Sequence, residues 1–401
     1  MFNILGDGSW LNTLIYFAMF FAFIFIYPKL MIKQLIMKIE NETKRIEGWR
    51  DEARDTVTVT MRDPPSKDLK DSVTNFLDFF MIEPVNLDPR GVVKKLDRTI
   101  RDQRTMFKRF VEENSDIEDE EKRADIRGGL SGAIATQQIA KIVRHYLELT
   151  KKYNNLQIAM MIKMQLPMIK DIARAAVKGT KNMCNGEPVG DTIGPLVVAK
   201  MIGNDEFEEM EDHEMIYSEK EINDRKCVLV KAKGPGSRVG LPGKALEDLI
   251  DKYKPERIIT IDASGKLEGE ETGSTAEGVG VAMGGYGVER YQIEEKATKK
   301  EIPIDAIAIK MRPEEAIYSM KEEVFDSVDG VIDKVKNALY RAEKGNNVLI
   351  LGVGNTSGVG NNGENLKETE KKIKKNIKKM KKEREREKQE EKSLMDQLSP
   401  F

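Results

Sequence analysis

"RIITIDASGKLEGEETGSTAEGVGVAMGG" (Arg257 to Gly285) decides the fold. It runs from a β-branched stretch straight into glycine-rich sequence, with Asp262 at the junction. "CVLVKAKGPGSRVGLPGKALEDL" (Cys227 to Leu249) and "NVLILGVGNTSGVGNNG" (Asn347 to Gly363) follow the same plan. Loops that leave the carboxyl ends of strands in an open α/β sheet gather at one rim, where ligands bind. Glycine in such loops lets the backbone take φ > 0 or approach a ligand closely. Gly234, Gly236, Gly265, Gly273, Gly354 and Asn355 are therefore candidate ligand-binding positions. Gly190 and Gly194 of "GEPVGDTIGPLVVAK" (186–200) join them.

Working outward, strand-like "CVLVKA", "RIITID", "IDAIAI" (304–309) and "NVLILGV" alternate with helical segments 242–253 and 313–343. Strands separated by helices imply a mostly parallel sheet with helices on both faces, an α/β domain over about 186–355. Upstream the period is helical from 66 to 183. "VVKKLDRTIRDQRTMFKRFVEEN" (92–114) spaces its apolar residues by three and four. "SDIEDEEKRADI" (115–126) reads as an exposed acidic segment, and 129–153 and 156–183 as two apolar helices. The second is apolar enough to be the buried centre of a bundle, kinked or broken at Pro167. Residues 29–62 read as an amphipathic helix with a short strand at "VTVTM" (57–61), punctuated by Pro64-Pro65.

Residues 8–28, "GSWLNTLIYFAMFFAFIFIYP", carry no charge, and about 20 apolar residues cross a bilayer core. Trp10 and Tyr27 sit where aromatic anchors belong, and no basic region or small-residue cleavage site favours a cleaved signal. Lys29, Lys33 and Lys38 follow the span. The expectation is a single-pass protein of the cell membrane, its amino terminus outside, lipid contacting 8–28, and 29–401 cytoplasmic.

A net charge of −2 with 33% charged residues makes no case for nucleic acid. Two cysteines and two histidines exclude a disulfide scaffold and a His-rich zinc centre. The tail 364–401 is low complexity: Lys367 to Lys392 holds 13 Lys/Arg and 7 Glu, so net +6, with a thin apolar stripe at Ile373, Ile377 and Met380. It reads as a solvated charged helix or, on the cytoplasmic side, a contact for anionic lipid.

Chemistry centres on Asp191, in a Gly-Asp turn that opens a helix, and Asp262, which closes a strand. Two carboxylates on one rim can share a proton or hold a divalent metal. The plainer role for Asp191 is a helix N-cap. Glu268, Glu270, Glu271 and Glu277 read as a solvated acidic loop, although a loop of that length is a candidate lid. "GPGSRVGLPG" lacks the Gly-Lys-Ser/Thr end of a P-loop, and "GVGNTSGVG" lacks the helix and distant acid of a dinucleotide site. His213 reads as a surface histidine. Cys184 and Cys227 have no neighbouring base in the sequence.

"VGDTIGPLVVAKMIG" (189–203) with "IITIDASGKLEGEETGS" (258–274) resembles the phosphorylase/peptidase-like fold of the hydrogenase-maturation and spore-germination peptidases. The germination type is nearer, with its Gly-Asp-x-x-Gly-Pro turn and its strand-end aspartate. The resemblance implies that Asp191 and Asp262 act as a catalytic pair or bind nickel. The metal-binding histidine of the hydrogenase peptidases has no match, and helical sequence stands before the Gly-Asp turn where relatives place a strand, so the domain reads as permuted or of the germination type. Taken whole, the chain also resembles an archaeal family of membrane proteins of unknown function. Lacking an oxyanion donor, a positioned base and a metal-binding histidine, the chain reads first as a module that binds a peptide or small ligand at its glycine-rich rim, with a protein or peptide partner. The alternative is a membrane-tethered peptidase-like hydrolase that uses Asp191 and Asp262.

Overall fold

In the computed structural model residues 10–84, 91–285 and 287–398 are described. The first two residues of the expected span and the last three of the tail lie outside them. The elements run α1 (Trp10–Phe21), a π turn (Ala22–Ile26), α2 (Tyr27–Met61), α3 (Lys67–Phe76), α4 (Val92–Asn114), α5 (Glu120–Tyr153) and α6 (Leu156–Cys184). After a 3-10 turn (Gly190–Thr192) come α7 (Ile193–Ile202), β1 (Glu208–Met210), β2 (Met215–Ile222), β3 (Arg225–Ala232), α8 (Pro242–Tyr253), β4 (Arg257–Gly265), β5 (Thr275–Val279), α9 (Val288–Lys299), β6 (Ile304–Met311), α10 (Pro313–Ile317), α11 (Glu322–Leu339), β7 (Asn347–Gly352) and α12 (Gly363–Leu398).

The chain divides into two compact units. One takes residues to Glu52 with Ala135–Arg174. Its helical run from Thr13 onward is long and apolar enough to cross a membrane, and Phe17, Phe20, Phe23 and Phe25 stand exposed on it. Below that stretch α2, α5 and α6 pack through Leu35, Ile39, Leu147, Ala159 and Ile162, then through Ile46, Ala140, Val143, Leu166 and Ala173. Helix α6 is not the buried centre that its composition suggests. Met160, Met161, Met164 and Met168 are exposed, Met164 by 82%, because only one stripe of the helix meets its neighbours. Pro167 does not break α6, which runs unbroken from Leu156 to Cys184.

The other unit holds Ala53–Ile134 and Ala175–Phe401. Its sheet has the order β1-β2-β3-β7-β4-β6-β5. The four central strands β3, β7, β4 and β6 are parallel, and β1, β2 and β5 are antiparallel additions at the two edges. Central strands with two covered faces read as continuous apolar runs, as Val228–Val230, Ile258–Ile261 and Val348–Leu351 do. One face buries Leu196, Val197 and Ile202 of α7, Val324 to Leu339 of α11, and Leu366, Ile373, Ile377 and Met380 of α12. The other buries Ala245 to Ile250 of α8 and Ile293 and Ala297 of α9.

Several sequence expectations change here. "VTVTM" is helical, not a strand. Val57 and Met61 are buried, and the hydroxyls of Thr58 and Thr60 donate to Arg54 O and Thr56 O at 2.7 and 2.8 Å, so the β-branched run is held in the helix. The glycine-rich segment after Asp262 is not structureless, since β5 pairs there with β6 from Thr275↔Ile309 to Val279↔Asp305. The helical span 313–343 divides between Ile317 and Glu322. The thin stripe of the tail is not solvated but part of the core, and a helix does follow "GVGNTSGVG".

Replacing Ile373 by alanine is expected to cost about 2–4 kcal/mol, the range for a truncated core aliphatic. Urea denaturation followed by circular dichroism checks this. A loss near zero would mean that α12 does not rest on the core.

Candidate functional site

Strand β7 sits between β3 and β4, so both neighbours pair with it in parallel: Val230↔Leu351 on one side and Ile261↔Gly352 on the other. From β7 the chain passes to α12 on one face of the sheet, whereas from β4 it passes on to α9 on the other. Connections that diverge in this way open a crevice beyond the strand ends. Asp262 stands there, one residue past the last β4–β7 pair, and is 5% exposed.

Asp191 reaches the same crevice from a different element. The first turn of α7 passes directly over the ends of β4 and β7. At Gly194 a Cβ would overlap the carbonyl oxygens of Val353 and Ile261, so only glycine allows the approach. Gly354 takes φ +135°, and a Cβ there would strike Asp191 O. In this arrangement Asp191 does not cap α7. Its Oδ2 accepts the Asn355 N–H at 2.8 Å, which ties the Gly-Asp turn to the loop after β7. Among the described residues no donor reaches its other oxygen. Asp262 Oδ1 accepts from Ala263 N at 2.7 Å and Oδ2 from Gly284 N at 3.2 Å.

Both carboxyls are shifted in the same direction. Burial raises the pKa of Asp191 above the usual carboxylate range, against the Asn355 hydrogen bond. Burial also raises that of Asp262 well above its usual value, and the charge of Asp191 adds to it. Among the described residues no group of three or more His, Cys, Asp or Glu is placed to hold a metal. Two carboxylates alone would leave most of a hard cation's oxygen ligands to water or substrate.

The glycines of the rim are engaged differently. Gly190 N donates to Tyr318 O at 2.9 Å and Gly273 N to Lys310 O at 2.8 Å, while Gly265 ends β4 in the open. In the turn after β3 the backbone donors are already taken. Gly234 N donates to Asn361 Oδ1 (2.8 Å), Gly236 N to Glu121 Oε2 (2.7 Å), Ser237 N to Asp125 Oδ1 (2.9 Å) and Arg238 N to Thr356 Oγ1 (3.2 Å). The Arg238 guanidinium also meets Glu121 at 2.6 Å. Such a turn is an anion-binding concavity, and here the carboxylates of α5 occupy it. The "SDIEDEEKRADI" segment is thus not merely exposed: Asp125 and Ile126 are buried. A buried acid four residues after another was the signal that composition hid.

Further residues escaped the sequence reading. Ser237 Oγ and the Asn355 amide share hydrogen bonds of 2.9 and 3.2 Å, which link the β3 turn to the partner of Asp191. Lys231, fully buried at the end of β3, donates to Asn361 Oδ1 (3.0 Å) and Ala232 O (2.8 Å), and burial pulls its pKa down to about 7. His213 pairs with Asp248 at 2.8 Å on the surface. The glutamates of the loop are paired too, Glu277 with Lys334 and Arg341 at 3.1 Å each and Glu268 with Arg312 at 2.8 Å. Burial pushes the thiols of Cys184 and Cys227 up to about 12, which leaves neither as a nucleophile.

Residues 13–186 match the family model described as "Protein of unknown function (DUF1512) N-terminal domain", and residues 189–360 match "Domain of unknown function (DUF1512) C-terminal". Together the two cover most of the chain, which therefore belongs to this uncharacterised family. The second match contains Asp191, Asp262, Asn355 and the whole rim. No curated protein and no solved structure matches the chain.

Burial raises the Asp125 pKa to about 7, above its unfolded value of 3.8, with Glu121 adding to the rise and Ser237 N–H, Arg238 and Lys372 opposing it. A raised acid favours the fold when protonated, so its contribution is whole below about pH 4 and is lost as pH climbs through 7. Asp125→Asn keeps an acceptor for Ser237 and removes the buried charge. The variant should be more stable than the parent at pH 8 by about 1–3 kcal/mol, the gap closing below pH 4. Thermal melts across that range measure it.

Proposed function

We propose that the chain is a single-pass membrane protein, anchored by residues 8–28, whose α/β domain lies on the cytoplasmic side and carries a peptidase-like hydrolytic centre at Asp191 and Asp262. One observation supports this above all: carboxyls delivered by separate elements to one crevice, each with its proton affinity raised, Asp262 partly by the charge of Asp191. Charges so placed resist joint ionisation, so the pair holds one proton between them near neutral pH. The ionised member takes a proton from water as that water attacks a substrate carbonyl, and the protonated member gives its proton to the departing amine. The free oxygen of Asp191 is the one in position to accept from that water. The resemblance of the Gly-Asp turn and strand-end aspartate to the germination-type peptidases points to an amide or peptide substrate. The lysines at 29, 33 and 38 set the orientation of the anchor.

A second reading is recognition without turnover. Backbone donors that would stabilise an oxyanion at the β3 turn are already committed to Asn361, Glu121, Asp125 and Thr356. On this reading the rim binds a peptide or small ligand and the chain serves a protein partner. A divalent metal held by Asp191 and Asp262 is the remaining variant.

Assays of the full chain in detergent against a mixed peptide library test these readings. Asp191→Asn and Asp262→Asn should each lower kcat/KM by about 100-fold or more while peptide binding persists. Turnover that survives both substitutions would refute the hydrolytic centre. Peptide binding with no turnover in the parent would leave the recognition role, and a stoichiometric divalent ion in elemental analysis would make the pair a metal centre.

A further inference from the structure

The apolar run that ends at Pro28 is continuous with α2, so α2 acts as a ruler for depth. Each residue beyond Pro28 lies about 1.5 Å farther along the helix axis from the edge of the hydrocarbon. The turn between α5 and α6 is fixed to that ruler. Arg144 Nη2 meets Glu47 at 2.6 Å and Lys151 Nζ meets Glu40 at 3.4 Å, so α5 runs back toward the apolar span as its sequence advances. At the turn itself Leu156 and Ile158 pack against the same core, around Leu35 and Ile39, that Met31 and Ile36 cover from α2. That places the turn level with residues 31–39 of α2, from about 5 to about 16 Å beyond the hydrocarbon edge. Headgroups occupy about 5–8 Å on each side of a bilayer core, so the turn overlaps that layer.

The side chains presented there suit it. Tyr153 is 60% exposed, with the Lys152 ammonium 5.4 Å from its ring centroid. Lys33 of α2 is exposed at the same level, and Lys29 is exposed one turn nearer the hydrocarbon. An amphipathic ring beside lysines matches the composition of a membrane interface. No acidic residue occurs from Thr150 through Ala159, and while Lys151 is held by Glu40 and Glu148, Lys152 lies against the exposed Tyr153 ring.

We infer that the α5–α6 turn is a lipid-contact surface, in which Lys152 and Tyr153, with Lys29 and Lys33, bind the headgroups of anionic phospholipid. The inference rests on the anchor reading and not on the carboxylate pair. Its consequence is that the helical unit is held against the bilayer at a second point beside the span, which fixes its rotation about the anchor.

The test uses the full chain in nanodiscs, with a fluorophore at Tyr153→Cys, Met168→Cys or Phe20→Cys and quenching nitroxides on the lipid. The parent, labelled identically, supplies the background from Cys184 and Cys227. With headgroup nitroxides the probe at 153 should be quenched more than the one at 168, by about twofold when a third of the lipid is anionic, and Lys152→Gln with Lys33→Gln should remove that dependence on lipid charge. Equal quenching at 153 and 168, or an effect indifferent to lipid charge, would overturn the inference. The probe at 20, read with nitroxides on the acyl chains, keeps the two readings apart: if it is unquenched the anchor itself fails, and if it alone is quenched only the turn proposal falls.

Discussion

Everything at the rim depends on how closely the first turn of α7 can lie over the ends of β4 and β7. A single methyl at residue 194 would meet two carbonyl oxygens and lift the helix away. With it would go Asp191, whose carboxylate reaches Asn355 only because the Gly-Asp turn lies directly against the loop after β7. The glycines of this protein thus bring the chain against itself first. The crevice between two carboxyls is what that contact leaves over, a by-product of packing at backbone distance.

A second constraint is electrostatic. Arg238 is almost wholly buried, as are Asp125 and Lys231, and burial of charge is costly unless partners and hydrogen bonds are complete. Here they offset part of that cost: the turn after β3 supplies backbone donors, α5 supplies two carboxylates, and Asn361 and Thr356 add acceptors, while burial still shifts Asp125 and Lys231 toward their neutral forms. The result is a turn already shaped without any ligand. It is also tied through Ser237 and Asn355 to the aspartate that does the proposed chemistry, so rigidity and reactivity share one set of bonds.

The central strands and the Gly-Asp turn were legible in the sequence because they obey strong local rules. A β-branched run that ends in glycine or aspartate has few other interpretations. The edges were not legible. "EEM" and "MIYSEKEI" carry enough charge to pass for loop, and "TAEGV" is exposed along most of its length. Their strand state comes from pairing with β3 and β6, which no local pattern announces. The reverse error occurred at "VTVTM" and in the methionines of α6, where β-propensity and apolar composition were overruled by packing along one helical stripe. The acids of α5 were misjudged for a related reason. Charge in a sequence suggests solvent until a partner more than a hundred residues away is known, and Ser237 lies 112 residues from Asp125. The meeting of Asp191 with Asp262 was an expectation drawn from the fold rule for rims. Its detail, through Asn355, was not.

The position of β7 carries a consequence for how the protein is made. It is the last strand in the chain and it fills the middle of the sheet. Until it leaves the ribosome, β1-β2-β3 and β4-β6-β5 are two half-sheets with facing unpaired edges, each rich in valine and isoleucine. Such edges invite pairing with other chains. Nascent chains of this protein are open to such pairing until residue 352 has been made, and a truncation before β7 is expected to aggregate rather than fold as a smaller domain.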